Sequence, residues 1–206
     1  TSHRSPTHVH DAANRLLEDA TFTYTYDATG TRASRTEKAS STVMSYAYDG
    51  EHQLIGVTAP SLAATYRYDG LGRRIEKTIN GVSTRFVYDQ EDLLLEYDGT
   101  NVLKARWLHG PGIDEPHLME RDLNSNGTFE STEQFFYHAD GLGSTLALTN
   151  NAGAVVESYR YDTFGQPIIL APDGAVRTCS AFGNPFLFTG REYDCESGLH
   201  HNRRRT

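Results

Sequence analysis

Tryptophan and cysteine are nearly absent from this chain, with one Trp and two Cys in 206 residues. Two cysteines cannot build a disulfide framework. Cys179 and Cys195 also form no CxxC pair, which removes the usual zinc and dithiol signatures. They leave the redox compartment open, with free thiols the favoured expectation over a bridge. No apolar run approaches the ~20 residues that span a bilayer, so no membrane insertion is expected. The amino end, TSHRSPTHVHD, lacks the apolar segment of a signal peptide, which puts any export signal outside this chain. Basic residues are outnumbered, 19 against 27 acidic, for a formal charge of −8. That balance excludes a general nucleic-acid or anionic-membrane binder. Arg203-Arg204-Arg205 is the local exception and reads as a solvated tail. Helical periodicity is scarce too. Asp11 to Ala20, DAANRLLEDA, is the only short segment with helical leanings, and a strand-bound turn accounts for it equally well.

Tyrosine, by contrast, is plentiful, with twelve residues. Tyr brings area and β-propensity with a polar tip, which suits broad sheets with one wettable face. The stretch Phe135 to Pro167, FFYHADGLGSTLALTNNAGAVVESYRYDTFGQP, states the local rule twice. An aromatic strand end runs into Asp140 or Asp162, with Gly143 or Gly165 three residues later. The Asp side chain can accept hydrogen bonds from the amides beyond it, and the Gly can take the left-handed conformation that closes the turn. Between the copies, two β-branched and aromatic runs flank Asn150-Asn151-Ala152-Gly153, whose residues tolerate positive φ.

The same rule recurs upstream as Tyr24-Thr25-Tyr26-Asp27, Tyr46-Ala47-Tyr48-Asp49, Tyr66-Arg67-Tyr68-Asp69 and Phe86-Val87-Tyr88-Asp89. The spacing is close to twenty residues, enough for two strands of about seven residues with two tight turns. Each repeat is then one β-hairpin, and Asn80-Gly81 supplies a two-residue turn. Strands are expected to end at Tyr26, Tyr48, Tyr68, Tyr88, Tyr137 and Tyr161. Stacked hairpins are expected to bring Tyr pairs together as cross-strand aromatic ladders.

An insertion interrupts the repeats. Asp122 to Glu133, DLNSNGTFESTE, matches the calcium-loop pattern D-x-[DN]-x-[DN]-G-x₅-E without a gap. Asp122, Asn124 and Asn126 fill the first, third and fifth positions, Gly127 the sharp turn, and Thr128 a backbone carbonyl. Glu130 can hold a water and Glu133 can close the sphere with both oxygens. Alternating oxygens suit a hard cation, so calcium is the expected cofactor, with Phe129 as the loop's apolar anchor. The flanks do not read as a helix pair, and a polar loop joining strands is the plainer alternative. Catalysis is not expected. His138, Asp140 and Ser144 have no nucleophile elbow around them, and Glu91-Asp92 point to opposite strand faces. Gly70-Leu71-Gly72 and Gly141-Leu142-Gly143 lack a strand-to-helix setting for phosphate.

The repeated Tyr-x-Tyr-Asp with its following Gly resembles the YD repeat of RHS-repeat and teneurin-like proteins. WLHGPGIDEP, the FFYHADGLG stretch and NPFLFTGREYDCESGLHHNR resemble, in that order, the RHS-associated core. The resemblance covers about Phe22 to Arg203. It implies an all-β fold of antiparallel hairpins, forming a curved or spiralling sheet that is a segment of a hollow shell. In the bacterial family such a shell encloses a toxin. Within the family pattern, Asn14-Arg15-Leu16 belongs to a turn and the next strand. After Leu199 the family's Tyr-rich run and autoprotease motif are replaced by His200-His201-Asn202-Arg203-Arg204-Arg205-Thr206, so neither self-cleavage nor a toxin is expected in this stretch.

The implied organisation is a leader over 1–21, holding His3, His8 and His10, followed by YD repeats over 22–114. An insertion over 115–134 carries the candidate calcium loop, and a core segment over 135–206 packs as one β unit with 22–114. The function implied is an encapsulating scaffold; the alternative is an extracellular adhesion module using a Tyr-rich sheet and open edges. Expected partners are the rest of a larger polypeptide, a cargo, or copies of the chain paired edge to edge, in an extracellular or cell-surface setting.

Overall fold

The computed structural model describes residues 8–112 and 115–202. His3, Ile113-Asp114 and the Arg203-Arg204-Arg205 tail lie outside the described residues. Contacts divide the chain into two compact units. One runs up to Arg67 and takes in Thr78–Gly81; the other holds Tyr68–Lys77 and everything from Val82 onward. The insertion and the core segment therefore share a unit with 68–77 and 82–112.

The first unit is a succession of antiparallel strands: β1 (Val9–His10), β2 (Leu16–Glu18), β3 (Phe22–Tyr26), β4 (Arg32–Glu37), β5 (Val43–Tyr48), β6 (Leu54–Ala59) and β7 (Leu62–Tyr68). Each pairs with the next. Period-2 alternation turns Tyr46, Ala64 and Tyr66 inward, and Val57 and, past a register shift, Leu54 join them; all five are buried. The expected leader is corrected from Val9 onward, because β1 and β2 are paired strands. DAANRLLEDA forms no helix; it is a turn followed by β2, as the family pattern implied.

In the second unit β8 (Arg74–Ile79) contributes Arg74–Lys77. It is followed by β9 (Val82–Asp89), β10 (Asp92–Asp98), β11 (Leu103–His109), β12 (Pro116–Arg121), β13 (Gln134–Ala139), β14 (Thr145–Asn150), β15 (Val155–Tyr161), β16 (Pro167–Leu170) and β17 (Val176–Arg177). From β9 to β17 each strand pairs antiparallel with its successor. The chain then leaves the sheet and makes a small hairpin of β18 (Glu192–Asp194) and β19 (Leu199–His201). Phe86, Leu93, Ala105, Trp107, Met119, Phe135, Leu148, Tyr159 and Ile169, one from nearly every strand, form a continuous apolar row. Phe186 and Leu187 of the segment before β18 complete that core.

Four of the six expected strand ends fall on the tyrosine, at Tyr26, Tyr48, Tyr68 and Tyr161; β9 runs on to Asp89 and β13 to Ala139. Asp89 is drawn into the ladder opposite Asp92 because only Gln90-Glu91 turn the chain there, and Ala139 pairs with Thr145 because the turn Asp of that hairpin is Asp140. The tyrosine ladders are corrected. Within the first unit, strands carrying the motif alternate with strands that lack it, and arginines fill the gap. Arg32 lies over the rings of Tyr24 and Tyr46, at 5.2 and 5.8 Å, and Arg35 lies over Phe22 at 4.8 Å. The cross-strand partners Tyr24 and Arg35 set this register. Ring faces attract the guanidinium, so these stacks hold the sheet face where tyrosine pairs were expected.

Candidate functional site

The turn is the smallest functional unit. In the Asp69 turn the carboxylate Oδ1 accepts the amides of Leu71 and Arg73 at 2.9 and 3.0 Å, while the Gly72 amide donates to the Asp69 carbonyl at 3.0 Å. Gly72 has φ +83°, a conformation that a Cβ disfavours. Asp27, Asp140 and Asp162 build the same turn. Asp11, Asp49, Asp98 and Asn150 do so as well. The left-handed residue is Asn14, His52 or Asn101 in three of these. The Asp11 turn escaped the sequence pattern because His8-Val9-His10 stands before it where Tyr-x-Tyr precedes Asp27, Asp49 and Asp69.

Beyond β17 a strap of residues 178–202 lies against the inner face of the second unit's sheet. Its anchor is an ion cluster. The guanidinium of Arg74 donates to Asp194 at 2.5 Å and to Glu192 at 2.6 Å, and Lys77 sits 3.1 Å from both Asp194 and Glu196. Arg74, Glu192 and Asp194 are all buried. Burial opposes ionisation of Glu192, yet the Arg74 charge and then His201 hold its carboxyl down, from 4.5 to about 2. Asp194 is depressed as well, with burial outweighed by Arg74 and Lys77. Burial also disfavours the charged Arg74, and the two carboxylates more than reverse that.

A second polar chain runs through the core. The Trp107 indole N–H donates to the Tyr137 hydroxyl at 3.2 Å, and that hydroxyl donates to Asn184 Oδ1 at 2.7 Å. The Asn184 amide donates to the Tyr159 hydroxyl at 3.0 Å, which donates to the fully buried Glu157 at 2.5 Å. Arg177 pairs with Glu157 at 2.7 Å. The strap thereby satisfies sheet hydroxyls that burial would otherwise strand. It is closed covalently as well. Cys179 and Cys195 form a disulfide, which corrects the expectation of free thiols. The sequence separates them by sixteen residues with no pattern, and only the fold of the strap brings them together.

Sequence reasoning missed Arg74, Lys77, Glu192 and Asp194. One signal was present: Glu192 and Asp194 alternate on one strand face beside the apolar NPFLF run. Nothing local points to Arg74.

The insertion forms a closed polar ring. Asp122 Oδ1 accepts the Asn126 amide at 3.0 Å and Oδ2 the Gly127 amide at 3.2 Å. Asn124 and Asn126 direct their side-chain carbonyls to the amides of Asn126 and Thr128, at 2.9 and 2.8 Å. Glu133 is buried; its Oε1 accepts the amides of Leu123 and Asn124, and Oε2 that of Glu130. The Asn126 amide group donates to Glu130 at 2.9 Å. All six expected ligand residues thus belong to one ring, with the sharp turn at Gly127, φ +80°. The Lys104 ammonium stands 3.3 Å from Asp122 Oδ2 and 3.1 Å from Ser125 Oγ. Among the described residues, no three His, Cys, Asp or Glu side chains converge as a metal cluster. Phe129 is half-buried with Arg106 over its ring at 4.8 Å.

The weighed catalytic set is not assembled. His138 Nε2 lies 3.0 Å from Thr149 Oγ1, Asp140 caps its turn, and the Ser144 hydroxyl accepts the Thr189 amide at 3.1 Å.

Repeated Asp-capped hairpins closed by an inward strap define a YD-repeat β-sheet protein. The chain belongs to the Teneurin YD-shell family, whose model matches residues 1–171. It is 29% identical over 193 residues to the tRNA3(Ser)-specific nuclease WapA of Bacillus spizizenii, spanning 91% of this chain and 7% of that protein. It is 26% identical over 212 residues to the double-stranded DNA deaminase toxin A of Burkholderia cenocepacia, spanning 92% of this chain and 14% of that one. In fold it resembles the Tc holotoxin pore of Photorhabdus luminescens, with a TM-score of 0.55, 14% identity, and coverage of 96% of this chain and 13% of that one. The chain therefore spans a small fraction of each relative's length.

Proposed function

We propose that this chain is a wall segment of a larger YD shell that encloses a toxin or other cargo, and that it carries no chemistry of its own. The carrying observation is the succession of antiparallel hairpins, in which the Asp-capped turn or its variant recurs along the sheet, with many polar groups committed to capping and pairing. Relatives that bear nuclease and deaminase names are about an order of magnitude longer, which fits a wall serving an activity sited elsewhere in a long polypeptide. A secreted or cell-surface setting fits the disulfide, since such bonds persist in oxidising compartments. The test is protease protection of the longer polypeptide encoded at the same locus. The non-repeat segment should resist digestion in the native protein and be degraded after Arg74→Met loosens the wall. Immediate digestion in the native protein overturns the reading.

A structural calcium ion in the ring Asp122–Glu133 belongs to the same reading. Supporting it, both end carboxylates turn into the loop and already order its amides. Binding would require Lys104 to withdraw from Asp122, which places the affinity nearer ~10⁻⁴ M than that of a cytosolic sensor. A melt with millimolar calcium and with chelator, on wild type and Glu133→Gln, decides it. A melting temperature indifferent to calcium leaves the ring as a hydrogen-bonded loop.

A further inference from the structure

We propose that the Cys179–Cys195 disulfide is a latch, opened by dithiol reductants, that decides whether the strap stays docked on the second unit's sheet. The bond joins residues sixteen apart and encloses Asn184, Phe186, Leu187, Glu192 and Asp194, the residues that deliver the strap's buried contacts. The strap has little backbone ladder of its own. β18 and β19 pair with each other, and a single bridge joins Phe186 to Glu192. The Thr145 amide donates to the Leu187 carbonyl at 3.0 Å, and the other bonds from the sheet to the strap backbone come from side chains, among them Thr145, Glu157 and Arg121. Docking therefore rests on side chains and on the covalent ring. Opening the ring restores conformational freedom to the segment that holds the anchors, which shifts its local equilibrium toward the undocked state.

Access is built in. Cys179 is exposed and Cys195 half-buried, so a small dithiol reaches the Cys179 sulfur with the sheet intact. A reductant thiolate attacks Cys179 Sγ. The new sulfur–sulfur bond forms as the Cys179–Cys195 bond breaks, and Cys195 leaves as a thiolate that takes up a proton. The reductant's second thiolate then displaces Cys179, which is protonated in turn. The dithiol is oxidised by two electrons to its cyclic disulfide, and the protein gains two thiols. The rest of the anchor, Arg74 with Glu192 and Asp194, has no redox chemistry, and β11 to β14 keep their own strand ladders in both states. This latch does not depend on the shell reading.

The test is hydrogen exchange by mass spectrometry on the full chain, with and without dithiothreitol, with alkylation to count free thiols. After reduction, peptides covering 184–202 should exchange at least about ten-fold faster, while those of β11 to β14 keep their protection. Cys179→Ser with Cys195→Ser should reproduce the reduced pattern with no reductant. Three results overturn the latch: unchanged protection of 184–202 with both cysteines alkylated, loss of protection throughout the unit, or a bond that dithiothreitol reduces only in denaturant.

Discussion

Arg74 and Asp194 lie 120 positions apart in the sequence and meet in a buried ion pair at 2.5 Å, with Glu192 on the same guanidinium. That contact ties the strap to the strand that begins the second unit. A carboxylate pair placed there without Arg74 would leave two buried charges beside each other. Arg74→Met should therefore destabilise the second unit by about 3–5 kcal/mol, the usual consequence of removing one partner from a buried pair. Urea unfolding should show it, and replacing Glu192 and Asp194 by Leu in the same chain should recover much of the loss. A single Arg74→Met change that leaves the midpoint in place would mean that the cluster contributes nothing.

Acid should release the strap. Glu192 titrates at about 2 in the folded protein against 4.5 ordinarily, and Asp194 is depressed too. Their contribution is fully present above the ordinary carboxylate values and is lost as pH falls through the depressed ones. The melting temperature of the second unit should be flat above about pH 5 and decline toward pH 2. Glu192→Gln should flatten part of that decline; an identical slope in the variant rules out this carboxylate as its source.

Turn chemistry should be graded by position. Asp69→Ala removes the Oδ1 that accepts the Leu71 and Arg73 amides and should cost about 1 kcal/mol. Gly72→Val, at φ +83°, should cost at least as much. His52→Gly should be nearly neutral, within roughly 0.5 kcal/mol, since relief of a left-handed histidine at φ 63° is offset by the freedom glycine gains when unfolded. Urea midpoints compare the three, and a His52→Gly loss as large as that of Gly72→Val contradicts the account.

Lys104 should compete with calcium. Lys104→Ala removes a cation 3.3 Å from Asp122. It should tighten calcium binding roughly five-fold. Calorimetry on both proteins reads this directly, and equal or weaker binding by the variant removes Lys104 from the site.

The hairpins were legible because each turn announces itself within five residues and strand alternation is local. Asp69 to Gly72 needs nothing from the rest of the chain. Asp11 was misassigned to a leader because His8-Val9-His10 replaces the aromatic pair that flags the other Asp turns upstream. The strap was illegible for a different reason. Arg74, Glu192 and the two cysteines have meaning only as pairs, and the distance between partners exceeds any local pattern. The Asp122–Glu133 loop was legible as a constellation of oxygens, but the Lys104 ammonium comes from a neighbouring strand and could not be placed beside it.

Trp107 is the only tryptophan in the chain, and it packs edge-on against Phe186 at 5.9 Å while its indole N–H reaches Tyr137. Its near neighbours therefore include an aromatic ring that belongs to the strap. The protein's intrinsic fluorescence is in effect a resident optical gauge of whether that ring is in place. Excitation selective for indole reports the second unit and is blind to the first. A red shift on adding reductant or acid would follow strap departure in real time, without any label.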